Sequence, residues 1–61
     1  MPYVTIKMLE GRTDEQKKAL AEKVTAAVAE TTGAPAERVH IIIEEIPKTH
    51  LSVGGKLASE Q

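Results

Sequence analysis

Position two of this chain is proline, behind a methionine of the kind commonly removed when the second residue is small. Removal of Met1 would leave a secondary amine with a free lone pair, a base that no internal side chain supplies. An α-amino group titrates near about 7.7 to 8.0, and apolar walls with nearby cations destabilise its protonated form, moving it toward the neutral range where a general base works best. With Met1 attached, the same nitrogen is a tertiary amide without basicity, which leaves open an oligomeric binding protein that catalyses nothing. Proline also suits the first residue of an edge strand, so Pro2 needs support from elsewhere in the chain.

Other constellations are sparse. There is no Cys, hence no thiolate nucleophile, soft-metal ligand or disulfide. His40 and His50 are the only imidazoles, and although Glu44 or Glu45 stands near in sequence, no tight ligand spacing joins them, so no metal is expected. Ser52 has no His and Asp arranged with it, and no glycine-rich phosphate loop is present. Nine acidic residues against eight basic ones give a net charge of -1, and with a single Tyr as the only aromatic there is neither a basic stripe nor a stacking platform for nucleic acid. No apolar run approaches the roughly 20 residues of a membrane span, and the start lacks a basic segment followed by an apolar one, so the expected location is the cytoplasm.

The elements that must position these residues can be read from periodicity. Val4, Ile6 and Met8 alternate with Tyr3, Thr5 and Lys7, the pattern of a half-buried strand that ends at Glu10 and Gly11. Thr13 and Gln16 have capping-box spacing, Asp14 and Glu15 suit a first helical turn, and Gly33 with Pro35 stops the helix, which is expected over about Asp14 to Thr32. Leu20, Val24, Ala27 and Val28 form its expected apolar stripe, with Ala21 and Thr31 at the margins. Val39 to Ile46 reads as a second strand, and its run of Ile41, Ile42 and Ile43 suggests burial on both faces. Gly54 and Gly55 lie in a C-terminal segment expected to form a small hairpin or an arm that reaches a neighbour.

Strand, helix and strand make a single α/β domain over residues 1–61, a βαβ unit whose two parallel strands are joined by one right-handed crossover helix. One helix can cover only one side of a two-stranded sheet. A chain this short hides only about 60% of the surface its unfolded form exposes. With 41% hydrophobic residues but no Phe, Trp or disulfide to enlarge the core, the expected stabiliser is a second copy of the chain.

The whole pattern narrows the chemistry. Met1-Pro2-Tyr3 opening a strand, Leu9-Glu10-Gly11-Arg12-Thr13-Asp14-Glu15-Gln16-Lys17 at the strand-to-helix junction, Gly33-Ala34-Pro35, and Gly54-Gly55-Lys56 together resemble the 4-oxalocrotonate tautomerase family over nearly the full length. The resemblance implies a homohexamer, a trimer of dimers, with sites built from more than one subunit. It also implies cofactor-free keto-enol tautomerisation of a small carboxylate, a 2-hydroxydienoate such as 2-hydroxymuconate or an enol of a 2-keto acid. Pro2 matches the family's catalytic proline and Arg12 an arginine that engages the substrate carboxylate. A guanidinium fits that task because its fork donates two parallel hydrogen bonds. The main-chain N-H of Leu9 matches a position used through water near the 2-hydroxyl or carbonyl oxygen.

Two positions depart from the family pattern. His40 stands where the best-known members carry a second arginine that polarises the substrate carbonyl and helps to bind the distal carboxylate, and Leu51 stands where they carry a phenylalanine that walls the pocket. Arg38 is the candidate to compensate, since two residues along an extended chain it would share a face with His40 about 6.5 to 7 Å away. An alternative on the same fold is hydration or dehalogenation of an unsaturated acid with protonated Pro2 as the acid. That chemistry needs a group to activate water, for which only Glu44 or Glu45 offers itself, without matching the dedicated acidic positions of such relatives.

Overall fold

The computed structural model describes residues 1–61. Strand β1 (Tyr3–Leu9) leads through a short loop into helix α1 (Asp14–Thr32), and the chain returns as strand β2 (His40–Ile46). The two strands pair in parallel with an unbroken register from Tyr3 opposite His40 to Leu9 opposite Ile46. The second strand begins one residue later than the hydrophobic pattern suggested, at His40 rather than Val39, because a turn of 3-10 helix (Ala36–Arg38) follows Pro35.

Local chemistry sets both ends of α1. The Thr13 hydroxyl accepts from the Gln16 N-H at 3.1 Å while the Gln16 side chain accepts from the Thr13 N-H at 2.9 Å, so two N-H groups that the first turn leaves open find partners. At the other end Gly33, at φ 79°, donates its N-H to Ala29.

The parallel register fixes which side chains share a face. Val4, Ile6 and Met8 lie beside Ile41, Ile43 and Glu45, and the 3.2 Å ion pair from Glu45 to Lys17 shows that this face carries the helix. Lys17, Leu20, Ala21, Val24, Thr25, Val28 and Ala29 are the half-buried positions of α1, one continuous stripe at i, i+3, i+4 spacing. Ala27, expected in the stripe, and Thr31, expected at its margin, are exposed. Ala27 falls roughly 100° from the stripe's centre, and the Thr31 hydroxyl returns to its own helix, donating to Ala27 at 2.8 Å.

The opposite face of the sheet carries nothing from the same chain. Tyr3 is 65% and Ile42 50% exposed there, and no residue of the chain is fully buried. A compact chain of this length has a radius of gyration near 10.5 Å, whereas this one has 14.4 Å and the outline of a thin plate, 42 × 24 × 13 Å. The expectation that one face of β2 lacks cover within the chain is met at Ile42; Glu44, on the same face, keeps that strand from being apolar throughout.

After Pro47 a turn of 3-10 helix (Lys48–His50) leads into a hairpin of strands β3 (Ser52–Val53) and β4 (Lys56–Leu57). Gly54 and Gly55 form its tip with φ of 62° and 85°, two successive positive values that side-chain-bearing residues adopt only with strain. The hairpin is tied back by the Ala58 N-H, which donates to Leu51 at 2.8 Å, while Val53 stays 70% exposed. No helix is long and apolar enough to cross a membrane.

Candidate functional site

The residues singled out from the sequence fall into two groups at opposite ends of the β1–β2 sheet. Pro2 directly precedes β1, and its carbonyl accepts a hydrogen bond from the His40 N-H at 3.0 Å, which extends the parallel ladder by one step. The same register sets the Tyr3 and His40 rings against each other, centroids 4.7 Å apart and planes 12° from parallel. Pro2 is half-buried and His40 exposed, so the imidazole stands on the sheet face that the helix leaves open.

Arg38 is not on the strand. Pro35, at φ -62°, begins a tight turn in which the Arg38 N-H donates to Pro35 at 2.9 Å and the Val39 N-H to Ala36 at 3.1 Å. The two-residue spacing that would place Arg38 beside His40 applies to extended chain, and Arg38 lies in a helical turn instead. Its exposed guanidinium has no ion-pair partner in the chain.

The second group lies where β1 ends. Leu9 closes the strand, the Glu10 N-H donates to Ile46 at 3.1 Å, and Gly11 turns the chain at φ 121°, a value that a Cβ would strain. Arg12 follows directly and precedes the Thr13 cap, so the backbone carrying its guanidinium is pinned by the sheet on one side and the helix on the other. A groove of about 440 Å³ is lined by Met8, Leu9, Glu10, Gly11, Arg12 and Lys48. A second groove of about 370 Å³ shares Leu9 and Lys48 and has Leu51, Val53 and Lys56 on its walls. The structure thus gathers Leu9, Arg12 and Leu51 around adjoining grooves. It adds Lys48, which sequence reasoning passed over; the only signal was its place directly after Pro47, at the end of the strand that pairs with β1.

These two groups do not meet within one chain. From Tyr3 to Leu9 an extended strand spans about 20 Å, which separates the Pro2 end from the Arg12 end. A small carboxylate cannot bridge that gap.

The remaining acidic candidates are placed away from Pro2. Glu45 is paired in the register with Met8, near the far end of β1, and is engaged by Lys17. Lys17 also reaches Asp14 at 3.6 Å, and its ammonium is held above its ordinary value of 10.5, chiefly by the hydrogen bond to Glu45 and against a smaller opposing effect of desolvation. Glu44 lies opposite Lys7 on the open face. Neither carboxylate is placed to activate water beside Pro2 of its own chain. No three side chains of His, Asp or Glu converge as a metal-binding set.

Comparison with known proteins bears on this arrangement. Residues 2–61 match the family model described as "Tautomerase enzyme". The chain is 63% identical over 60 residues to 2-hydroxymuconate tautomerase of Bacillus subtilis, covering 98% of this chain and 97% of that protein. Among solved structures it superposes on a homologue of 4-oxalocrotonate tautomerase with a TM-score of 0.94 and 62% identity, covering 98% of each chain. It also superposes on a heterohexameric 4-oxalocrotonate tautomerase from Chloroflexus aurantiacus with a TM-score of 0.93 and 45% identity, covering 98% of this chain and 97% of that one. With its βαβ fold, its proline at the start of β1 and its arginine at the mouth of α1, the chain belongs to the 4-oxalocrotonate tautomerase family of isomerases.

Proposed function

We propose that the chain, freed of Met1, assembles in the cytoplasm as a homohexamer, a trimer of dimers. In this reading it interconverts a 2-hydroxydienoate, or an enol of a 2-keto acid, with its keto isomer without a cofactor. The relative named 2-hydroxymuconate tautomerase supports the substrate class, and the heterohexameric neighbour supports the assembly size. The observation that carries the proposal is the division of the candidate residues between the two ends of one sheet, Pro2 with His40 and Leu9 with Arg12 and Leu51. Such an arrangement can act on one small molecule only if copies of the chain bring unlike ends together, and the uncovered sheet face provides a reason for copies to associate.

In the assembled site Pro2 takes the proton from the substrate's 2-hydroxyl and returns it to carbon, so no net proton is consumed. Arg12 holds the carboxylate as a charge-assisted pair, Leu51 supplies apolar wall, and the main-chain N-H of Leu9 acts near the substrate oxygen through water. His40 takes the position of a carbonyl-polarising donor, with a weaker hold than an arginine's two-pronged fork would have. General acid-base transfer of this kind contributes about 10² to 10⁴ in rate, and positioning with electrostatic stabilisation supplies the rest.

The decisive experiment is to prepare the protein with and without Met1, verify each by intact mass, and assay both with phenylenolpyruvate. The Met1-free form should carry nearly all the activity, because an acylated nitrogen has no lone pair to offer. Pro2→Ala, which retains a primary amine once Met1 is removed, should keep a reduced fraction. Equal activity in the two forms would place the base elsewhere.

A further inference from the structure

Lys48 has no part in the mechanism set out above, yet it lines both grooves at the Arg12 end of the sheet. Its position there follows from the chain path. Strand β2 ends at Ile46 opposite Leu9, Pro47 cannot continue the ladder, and the next residue is set down beside the β1-to-α1 loop. Its main-chain N-H faces the Glu10 carboxylate at 3.4 Å, which joins the start of the turn to that loop across 38 residues of sequence. Glu10 is the only acid lining the groove, and this contact draws its carboxylate to the backbone of Lys48.

The charges of Lys48 and Arg12 are both uncommitted. Ion pairs in this chain are confined to Lys17, with Asp14 and Glu45, so neither the Lys48 ammonium nor the Arg12 guanidinium is neutralised by a carboxylate of its own chain. Two unpaired cations on one groove of about 440 Å³, with Leu9 between that groove and its neighbour, make an anion subsite of the right size for a small organic acid.

Resting on the tautomerase reading above, we propose that Lys48 is a specificity-determining residue: its ammonium shares the substrate carboxylate with the Arg12 guanidinium in the groove that both line. The two cations divide the task by their chemistry. Arg12 fixes the plane of the carboxylate through its fork, and Lys48 adds a mobile point charge that deepens the attraction without dictating orientation. Because this charge is present for the bound substrate and the transition state alike, it acts on binding more than on turnover. With Lys56 on the adjoining groove, it concentrates cationic side chains at the Arg12 end of the sheet, which suits anchoring a carboxylate there.

The test uses Met1-free protein and steady-state kinetics with phenylenolpyruvate. Lys48→Met should raise KM by about five- to thirty-fold, the range between an open ion pair and a charge-assisted hydrogen bond, with kcat within about twofold of the parent. Lys48→Arg should retain most of the affinity, and added salt should raise the KM of the parent more steeply than that of Lys48→Met. Lys18→Met, which removes the same charge from an exposed position on α1 outside both grooves, should leave KM unchanged. A KM unaffected by Lys48→Met, or raised equally by Lys18→Met, would overturn the assignment. Titration with the unreactive acid 3-phenylpropanoate, followed by NMR shifts of the groove residues, separates this failure from that of the parent reading. Weakened binding in Lys48→Met supports the subsite even if no tautomerase activity is found, and unaltered binding refutes it even if the enzyme is active.

Discussion

The imidazole of His40 lies flat against the phenol ring of Tyr3, 4.7 Å between centroids, in a stack dictated by the register of the two parallel strands. Because the main-chain N-H of His40 is also tied to the Pro2 carbonyl, the ring is held at a fixed place beside the proposed base. Offset aromatic stacking is worth about 0.5 to 1.5 kcal/mol beyond area burial, enough to favour one rotamer of an exposed side chain. In the proposed reading, His40 therefore meets the substrate as a positioned imidazole.

Replacing that ring tests its role. Arg at position 40 can keep the stack, since a guanidinium also lies flat on aromatic faces, while adding a permanent charge and a donor fork. His40→Arg should improve kcat/KM for the dicarboxylate 2-hydroxymuconate by about 1 to 3 kcal/mol and change the monocarboxylate phenylenolpyruvate much less. If the parent enzyme already handles both acids equally and the substitution alters neither, another cation holds the distal carboxylate.

The open sheet face makes a prediction about assembly. Ile42 sits at its centre, half exposed in the isolated chain, and burying an isoleucine fully is worth about 1.5 to 3 kcal/mol. Sedimentation of the parent should show about six chains per particle, in line with the proposed hexamer. Ile42→Glu should release smaller, poorly folded species and abolish activity without touching a proposed site residue. A folded, stable monomer at micromolar concentration in either protein would contradict the burial argument.

How much of this was legible beforehand differs residue by residue. Thr13 with Gln16, and Gly54 with Gly55, were readable because each device closes within four residues and uses chemistry specific to those side chains. The strands were readable by period, and their ends carried an error of a single residue. Arg38 was misplaced because Pro35 permits either an extended or a turning successor, and the choice depends on where β2 must enter the register opposite Tyr3. Lys48 was missed because its significance lies in proximity to Glu10 and Arg12, 38 and 36 positions away, which no local pattern encodes. Pro2 stood out by its own chemistry as a terminal amine, whereas Arg12, Leu9, His40 and Leu51 became candidates only through family resemblance, and the division of these residues between two ends of the sheet required coordinates.

Lys17 offers a check that is independent of catalysis. Its ammonium links the first turn of α1 to Glu45 on β2, and its value in the folded chain stands above 10.5. A cation held above its unfolded value contributes stability that is whole below that unfolded value and is lost as the pH rises through the folded one. The difference in Tm between the parent and Lys17→Met should accordingly be constant from about pH 7 to 10 and close at higher pH. A difference that persists unchanged in alkali would show that Lys17 acts through its methylene packing instead of its charge.

The separation of Pro2 from Arg12 yields the most direct test of a shared site. One chain can be disabled at the base by leaving Met1 on Pro2, and another at the carboxylate by Arg12→Ala; each alone should be nearly inactive. If both residues had to come from the same chain, mixing the two would restore nothing, since every chain carries one defect. If a site takes Pro2 from one copy and Arg12 from another, random co-assembly in equal amounts pairs two intact residues in roughly a quarter of the sites. The measurement is activity after the two proteins are denatured together and refolded, compared with the same proteins refolded apart and then combined. Recovery near a quarter of the parent, confined to the co-refolded sample, is the expected result, and it follows from the span of about 20 Å that a single strand β1 puts between the two ends. Recovery absent from a sample shown by native mass spectrometry to contain mixed particles would mean that both groups act from one chain, and the β1–β2 plate would then have to bend in a way its register does not allow.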